Sequence, residues 1–293
     1  MLGLVVDAPA GISPPVGLLI LGMGFRALVP GCEKPGNCLF GNSGLSNPGE
    51  IRFFTALMNR PCTIILAAVI ALLSFQKARA AEVGREYILV TGGVSLMEWE
   101  KYKGPQAHDH WWANFVRASR IRMEQLRGQY GPDAKITWMV YKPGYLKRQE
   151  QEKINLLSFI DSVRDKWNVK LVYFEKGPEV INYLNFGQPR DQVKIADFEY
   201  FGHSNKACFL FDYSNEVDSA SKAWLHENDL SNLHRGLFTK DAFVKSWGCH
   251  TGESMSRKWA SATGSRMWGA QGRTMYQMED LPIISTPGGK WTR

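Results

Sequence analysis

Cysteine is scarce in this 293-residue chain: there are five, and only Cys208 and Cys249 follow residue 81. Two thiols do not make a disulfide framework. No CxxC or HExxH occurs, which removes the common zinc signatures. Runs of like charge are also missing. Of the 35 Lys+Arg and 28 Asp+Glu, all but six and three follow residue 80, leaving that portion near +4. Such a mild, dispersed surplus describes a solvated surface and implies no nucleic-acid partner. The apolar run from Cys62 to Phe75 falls short of the roughly 20 residues that span a bilayer. Val90-Thr-Gly-Gly93 lacks the third glycine of a dinucleotide-binding loop. Internal repeats and low-complexity tracts are absent.

The short apolar run has another use. Met58-Asn-Arg60 is a basic start, Cys62 to Phe75 an apolar stretch, and Ala78-Arg-Ala80 a small-residue cleavage pattern. Together they predict a secretory signal peptide over residues 58–80, cut near Ala80. Export to the periplasm or the extracellular space follows, with membrane contact only through that segment. Residues 1–57, rich in Gly and Pro, are expected to be an over-extended N-terminus or a disordered tail; a signal anchor is the alternative. Residues 81–293 are one domain's length.

Within that domain, apolar runs that stop at glycine alternate with helical periodicity. Strands are predicted at 86–93, 135–141, 169–174, 195–203, 242–249 and 266–270, with an extended partner at 207–213. Helices are predicted at 111–130, 149–167, 177–184 and 252–262, with a further helical segment at 226–233. This alternation predicts an α/β fold, a three-layer α/β/α sandwich on a mainly parallel sheet. All ten Trp follow residue 81. Most are expected in the core, with some lining a cleft for peptide or glycan.

The chemistry gathers at two strand ends. Ile195-Ala-Asp-Phe-Glu-Tyr-Phe-Gly-His203 and Ala242-Phe-Val-Lys-Ser-Trp-Gly-Cys249-His-Thr-Gly252 each deliver a reactive side chain directly after a glycine. In parallel sheets ligands bind at the carboxyl ends of the strands. A thiol and an imidazole together there suit nucleophilic cysteine chemistry. A helix opening at Gly252 is expected to favour the thiolate. The N–H groups of Cys249 and of Ser204, the residue after His203, are candidates to face an oxyanion. The competing possibility is a structural Cys208–Cys249 disulfide, because an exported protein meets an oxidising compartment. Around the crevice, His108, Asp109, Asn114, Asp212, Trp247 and Glu253 are candidates for substrate binding, and Arg273 is one by position. His108-Asp-His110 could ligate a metal only with a third ligand, so no metal or cofactor is expected.

The paired strand–Gly202-His203 and strand–Gly248-Cys249 resemble the caspase-haemoglobinase (clan CD) cysteine peptidases, a group that includes caspases, legumain and gingipains. The tail Trp247-Gly-Cys249-His-Thr-Gly252 through Thr263-Gly264 to Ala270 looks like the corresponding segment of bacterial caspase-like domains. The resemblance implies a caspase-like fold and hydrolysis of peptide bonds, with Cys249 as nucleophile and His203 as general acid/base. It also implies an oxyanion hole from the backbone amides of Ser204 and Cys249, a pocket built by the loop from Gly92 to Asn114, and a peptide or protein substrate. The family has Gly after the His where this chain has Ser204. A non-catalytic binding protein of the same fold, holding peptide or glycan in a Trp-lined cleft, is the alternative.

Overall fold

In the computed structural model, the described residues are 83–97, 111–213 and 222–293. The expected leader over 58–80, the upstream stretch, His108 and Asp109 lie outside them. Among the described residues no helix is long and apolar enough to cross a membrane.

A seven-stranded sheet organises the chain. In sequence order its members are β1 (Gly84–Thr91), β2 (Lys135–Tyr141), β3 (Lys170–Phe174), β4 (Val193–Phe201), β8 (Phe238–Ser246), β9 (Met267–Gln271) and β12 (Lys290–Thr292). In space the order is β12-β9-β8-β4-β1-β2-β3. All neighbours are parallel except β12, which closes one edge antiparallel to β9. The fold is therefore α/β on a mainly parallel sheet, as the alternating pattern predicts. Winding reverses between β1 and β4, and a crevice opens at the carboxyl ends of strands at such a point.

Helices cover both faces, an arrangement compatible with a three-layer sandwich. Alternate residues of β1 point to opposite sides, as the strand period of two requires. Tyr87 and Leu89 pack with Phe115 of α1 (Asn114–Tyr130) and Ile160 of α3 (Leu156–Trp167). Ile88 and Val90 pack with Leu184 of α4 (Gly177–Phe186) and Trp259 of α5 (Met255–Thr263). Burying each such large apolar side chain stabilises the fold by roughly 1.5–3 kcal/mol.

Some boundaries differ from the periodicity. The single helix expected over 149–167 is two, because α2 starts earlier, at Lys142–Glu152, with Pro143 in its first turn where its missing N–H costs nothing. Lys153 then takes a left-handed φ of 60°, and Asn155 opens α3 by accepting from Ser158 N at 3.1 Å. The segment after Phe201 leaves the main sheet. It forms a small antiparallel sheet of β5 (His203–Ser204), β6 (Cys208–Leu210) and β7 (Trp224–His226). The helical segment expected near His226 is a 3-10 turn over Glu227–Asn232. A last hairpin pairs β10 (Thr274–Met275) with β11 (Ile283–Ile284).

Candidate active site

β4 and β8 are hydrogen-bonded neighbours, with Tyr200 opposite Ser246. Their ends therefore emerge side by side, carrying Gly202-His203-Ser204 and Gly248-Cys249. The Ser204 hydroxyl donates to the Cys249 carbonyl oxygen at 2.7 Å, tying the two together. The approach explains the glycine before the thiol. A Cβ on Gly248 would lie 2.1 Å from Ser204 Oγ and 3.0 Å from the Gly202 carbonyl oxygen. Gly202 is needed for a similar reason, since a Cβ there would meet Tyr200 Oη at 2.4 Å.

The His203 ring is seated among aromatics. Phe115 meets it edge-on with centroids 5.0 Å apart, and Tyr213 lies tilted against it at 4.5 Å. Its backbone is fixed as well: Tyr200 Oη donates to the His203 carbonyl at 2.6 Å, and Gly202 N donates to Tyr276 Oη at 2.8 Å.

Cys249 is free, and so is Cys208. The Cys249 sulfur rests against Thr274, a residue that no motif marks. Thr274 N–H points at Sγ from 3.4 Å, and Thr274 Oγ1 lies 3.6 Å from it while donating to the Trp247 carbonyl at 2.9 Å. Thr274 reaches this place through Gly272, whose φ of 105° turns the chain back after β9.

Two backbone N–H groups at these strand ends are left without a cross-strand acceptor. That of Cys249 has no acceptor among the described residues. Asn205 N donates to Cys208 O at 3.0 Å. Bonded and non-bonded pairs alternate in an antiparallel ladder, so Ser204, one residue back, turns its N–H away from β6. Two N–H groups with free direction are what a developing oxyanion requires.

The helix-dipole expectation needs correction. α5 begins at Met255, not Gly252, and turns separate it from Cys249. His250 takes a left-handed φ of 62°, and Gly252 packs so closely on Gly269 that a Cβ would lie 2.6 Å from its carbonyl oxygen. These contacts hold the chain out of helix. Met255 N donates instead to Lys206 O at 2.9 Å.

The described substrate-binding candidates have internal partners. Asn114 is buried and accepts from Arg117 Nη2 at 2.9 Å. Asp212, also buried, accepts from Tyr141 Oη at 2.9 Å; burial and this carboxylate push the phenol's pKa up. Glu253 accepts from His250 Nδ1 at 2.6 Å and Gly272 N at 3.2 Å, and the His250 bond holds its pKa below the usual range. His250 and Glu253 line a separate cavity of about 450 Å³ with Cys208, His226 and Lys206; His203 and Cys249 do not line it. Among the described residues no group of three or more His, Cys, Asp or Glu could hold a metal.

Trp247 is clamped below the thiol rather than exposed in a cleft. Its Nε1 donates to Glu199 Oε2 at 2.6 Å, Lys245 Nζ sits 3.4 Å over its ring, and Trp291 packs edge-on at 5.4 Å. Arg122 bridges the buried Glu199 and Asp197 carboxylates. Burial, then the neighbouring Glu199, raises Asp197 well above the usual carboxylate range. Burial also lowers the Lys245 ammonium from 10.5 to about 8. In that window the unfolded chain holds more protons than the folded one, so this lysine makes stability rise with pH from about 8 toward 10.5. Lys245→Met is expected to flatten the rise in urea denaturation at pH 7.5, 8.5 and 9.5. An unchanged slope would refute the assignment.

No family model, curated protein or solved structure matches the chain.

Proposed function

We propose that this chain is an exported cysteine peptidase of caspase-like type, acting in the periplasm or outside the cell on peptide or protein substrates. The observation that carries the reading is the Ser204 Oγ–Cys249 O hydrogen bond, which holds two adjacent strand ends, one with an imidazole and one with a thiol, at one crevice. In the proposed reaction Cys249 Sγ, as thiolate, attacks the scissile carbonyl carbon. The N–H groups of Ser204 and Cys249 receive the oxyanion, and His203 protonates the departing amine. Water then attacks the thioester, with His203 taking its proton, and the acid product leaves as Sγ is released. Ser204, where the family has glycine, is accommodated because Gly248 leaves room for its side chain.

A non-catalytic binding protein on the same fold is the second reading. It is favoured by the engagement of the Cys249 thiol with Thr274. Alkylation separates the two. Burial, then Asp229 and Glu227, pushes the Cys208 thiol up, so it is mostly protonated at neutral pH. Iodoacetamide at pH 7 is expected to label Cys249 well before Cys208, as read by peptide mass spectrometry, and His203→Ala to slow that labelling. Preferential labelling of Cys208, or a Cys249 that resists, supports the binding reading.

A further inference from the structure

Two turns meet at the Cys249 sulfur, and one carboxylate joins them. The first turn follows β8. In it His250 takes its left-handed φ of 62°, a strained state that persists only where neighbours over-determine it. Those neighbours are present. His250 N donates to Gly272 O at 2.8 Å, Glu253 N donates to His250 O at 3.0 Å, and Gly252 N donates to Ala270 O at 2.9 Å. The second turn lies between β9 and β10 and contains Gly272. Two residues beyond it, Thr274 N–H points at Cys249 Sγ from 3.4 Å.

Glu253 Oε1 serves both turns. It accepts from His250 Nδ1 at 2.6 Å and from Gly272 N at 3.2 Å. The His250 bond holds the Glu253 pKa down, and an ionised carboxylate only accepts, so Nδ1 carries the ring hydrogen. Gly272 is thereby held at both of its polar atoms, its carbonyl by His250 N–H and its N–H by Glu253. Thr274 is anchored a second time on the thiol side, where its hydroxyl donates to the Trp247 carbonyl at 2.9 Å. Trp247 and His250 flank Gly248-Cys249, so the bracket closes around the thiol residue. Glu253 does this from outside the crevice. It lines the cavity with Cys208, His226 and Lys206, which neither His203 nor Cys249 lines.

We propose that Glu253 is a positioning residue for Cys249, fixing the Gly272 turn and with it the Thr274 N–H against the sulfur. It acts through the two turns and not by contact with a peptide. A nucleophile has to be held within about 0.5 Å of its productive place by the hydrogen bonds of the residues around it. Misplacement by about 1 Å can cost on the order of 10²-fold in rate. The consequence for turnover rests on the peptidase reading; the bracket itself is read without turnover.

The experiment compares full-length wild-type protein with Glu253→Ala and Glu253→Gln. The first readout is native-state hydrogen exchange of single amides, followed by NMR on isotope-labelled protein. With Glu253→Ala the Gly272 and Thr274 amides should exchange at least about tenfold faster, as expected when a charge-assisted hydrogen bond is lost. Gly264 N, which donates to Ala260 O at the end of α5, is the control and should keep its rate. Glu253→Gln keeps an oxygen for Gly272 N–H and should return both amides to within about threefold of wild type. The second readout is hydrolysis of a fluorogenic peptide. There Glu253→Ala should lower kcat at least about tenfold with KM within about twofold, and Glu253→Gln should recover most of the loss. Unchanged exchange at Thr274, an equal rise at Gly264, a Glu253→Gln protein no better than Glu253→Ala, or a kcat that survives while Thr274 is freed overturns the proposal. Peptides left uncut by wild-type protein refute the peptidase reading instead, and exchange at Thr274 then decides the bracket alone.

Discussion

Cys249→Ala is expected to lower peptide hydrolysis by about 10⁴-fold or more, with His203→Ala comparably damaging and the double variant no worse than either. In the proposed mechanism the two groups act in one sequence of bonds. Without the sulfur no thioester forms, so an imidazole alone has nothing to protonate. Without the imidazole the departing nitrogen receives no proton, so the tetrahedral intermediate expels the thiolate again and no thioester accumulates. Open N–H groups at Ser204 and Cys249 survive both changes, because the alanine at 249 keeps its backbone. A small residual rate from those donors is therefore expected. Initial rates on a fluorogenic peptide mixture, with folding checked by near-ultraviolet circular dichroism, provide the measurement. If Cys249→Ala keeps more than a tenth of the rate, the mechanism fails.

The second large effect is structural. Gly248→Ala is expected to destabilise the protein by about 2–3 kcal/mol, the cost of forcing a methyl group into a closed contact. A Cβ at 248 would fall 2.1 Å from Ser204 Oγ and 2.8 Å from Ser204 Cβ, so rotating the hydroxyl relieves only part of the clash. Ser204→Gly alone removes the bond to the Cys249 carbonyl and is expected to cost about 1 kcal/mol. Combined, the two changes should cost less than their sum, because glycine at 204 vacates the space that alanine at 248 needs. Rescue should stay incomplete, since the Gly202 carbonyl oxygen still lies 3.0 Å from the new methyl. Urea unfolding of the four proteins yields the coupling directly. Coupling below about 0.5 kcal/mol would show that the Ser204–Gly248 contact does not determine the residue at 248.

Much of the frame is legible in the order of side chains. β2 runs over the residues its apolar pattern marks, and β1, β3, β4 and β9 lie within two residues of their expected limits at one end or both. Buried parallel strands read clearly where they are short, mainly apolar runs with turn residues beyond them. Errors arose where local signals conflict. Lys142-Pro143-Gly144 reads as a strand stop, and it is one, but Pro143 also suits a helix start, so α2 was hidden behind it. The three-residue β12 is too short to register any period, and its partner β9 is found only by folding. His203 and Cys249 each follow a glycine that marks them, whereas no local signal shows that Asn114, Asp212 and Trp247 bond to Arg117, Tyr141 and Glu199.

The sequence by itself determined the alternating α/β plan, the glycines that end β4 and β8, and the positions of one thiol and one imidazole just beyond them. Those properties depend on neighbours along the chain, whose spacing of two or about 3.6 residues is written in the order of side chains. Tertiary structure alone decided what touches that thiol and what does not. Ser204 meets Cys249 across 45 residues, Thr274 meets it across 25, and Arg117 reaches Met278 across 161 while missing every carboxylate among the described residues. Such contacts follow from the order β12-β9-β8-β4-β1-β2-β3, which sets which strand ends stand together. No local period encodes that order; it follows from which apolar faces pack best once all the strands and helices are present.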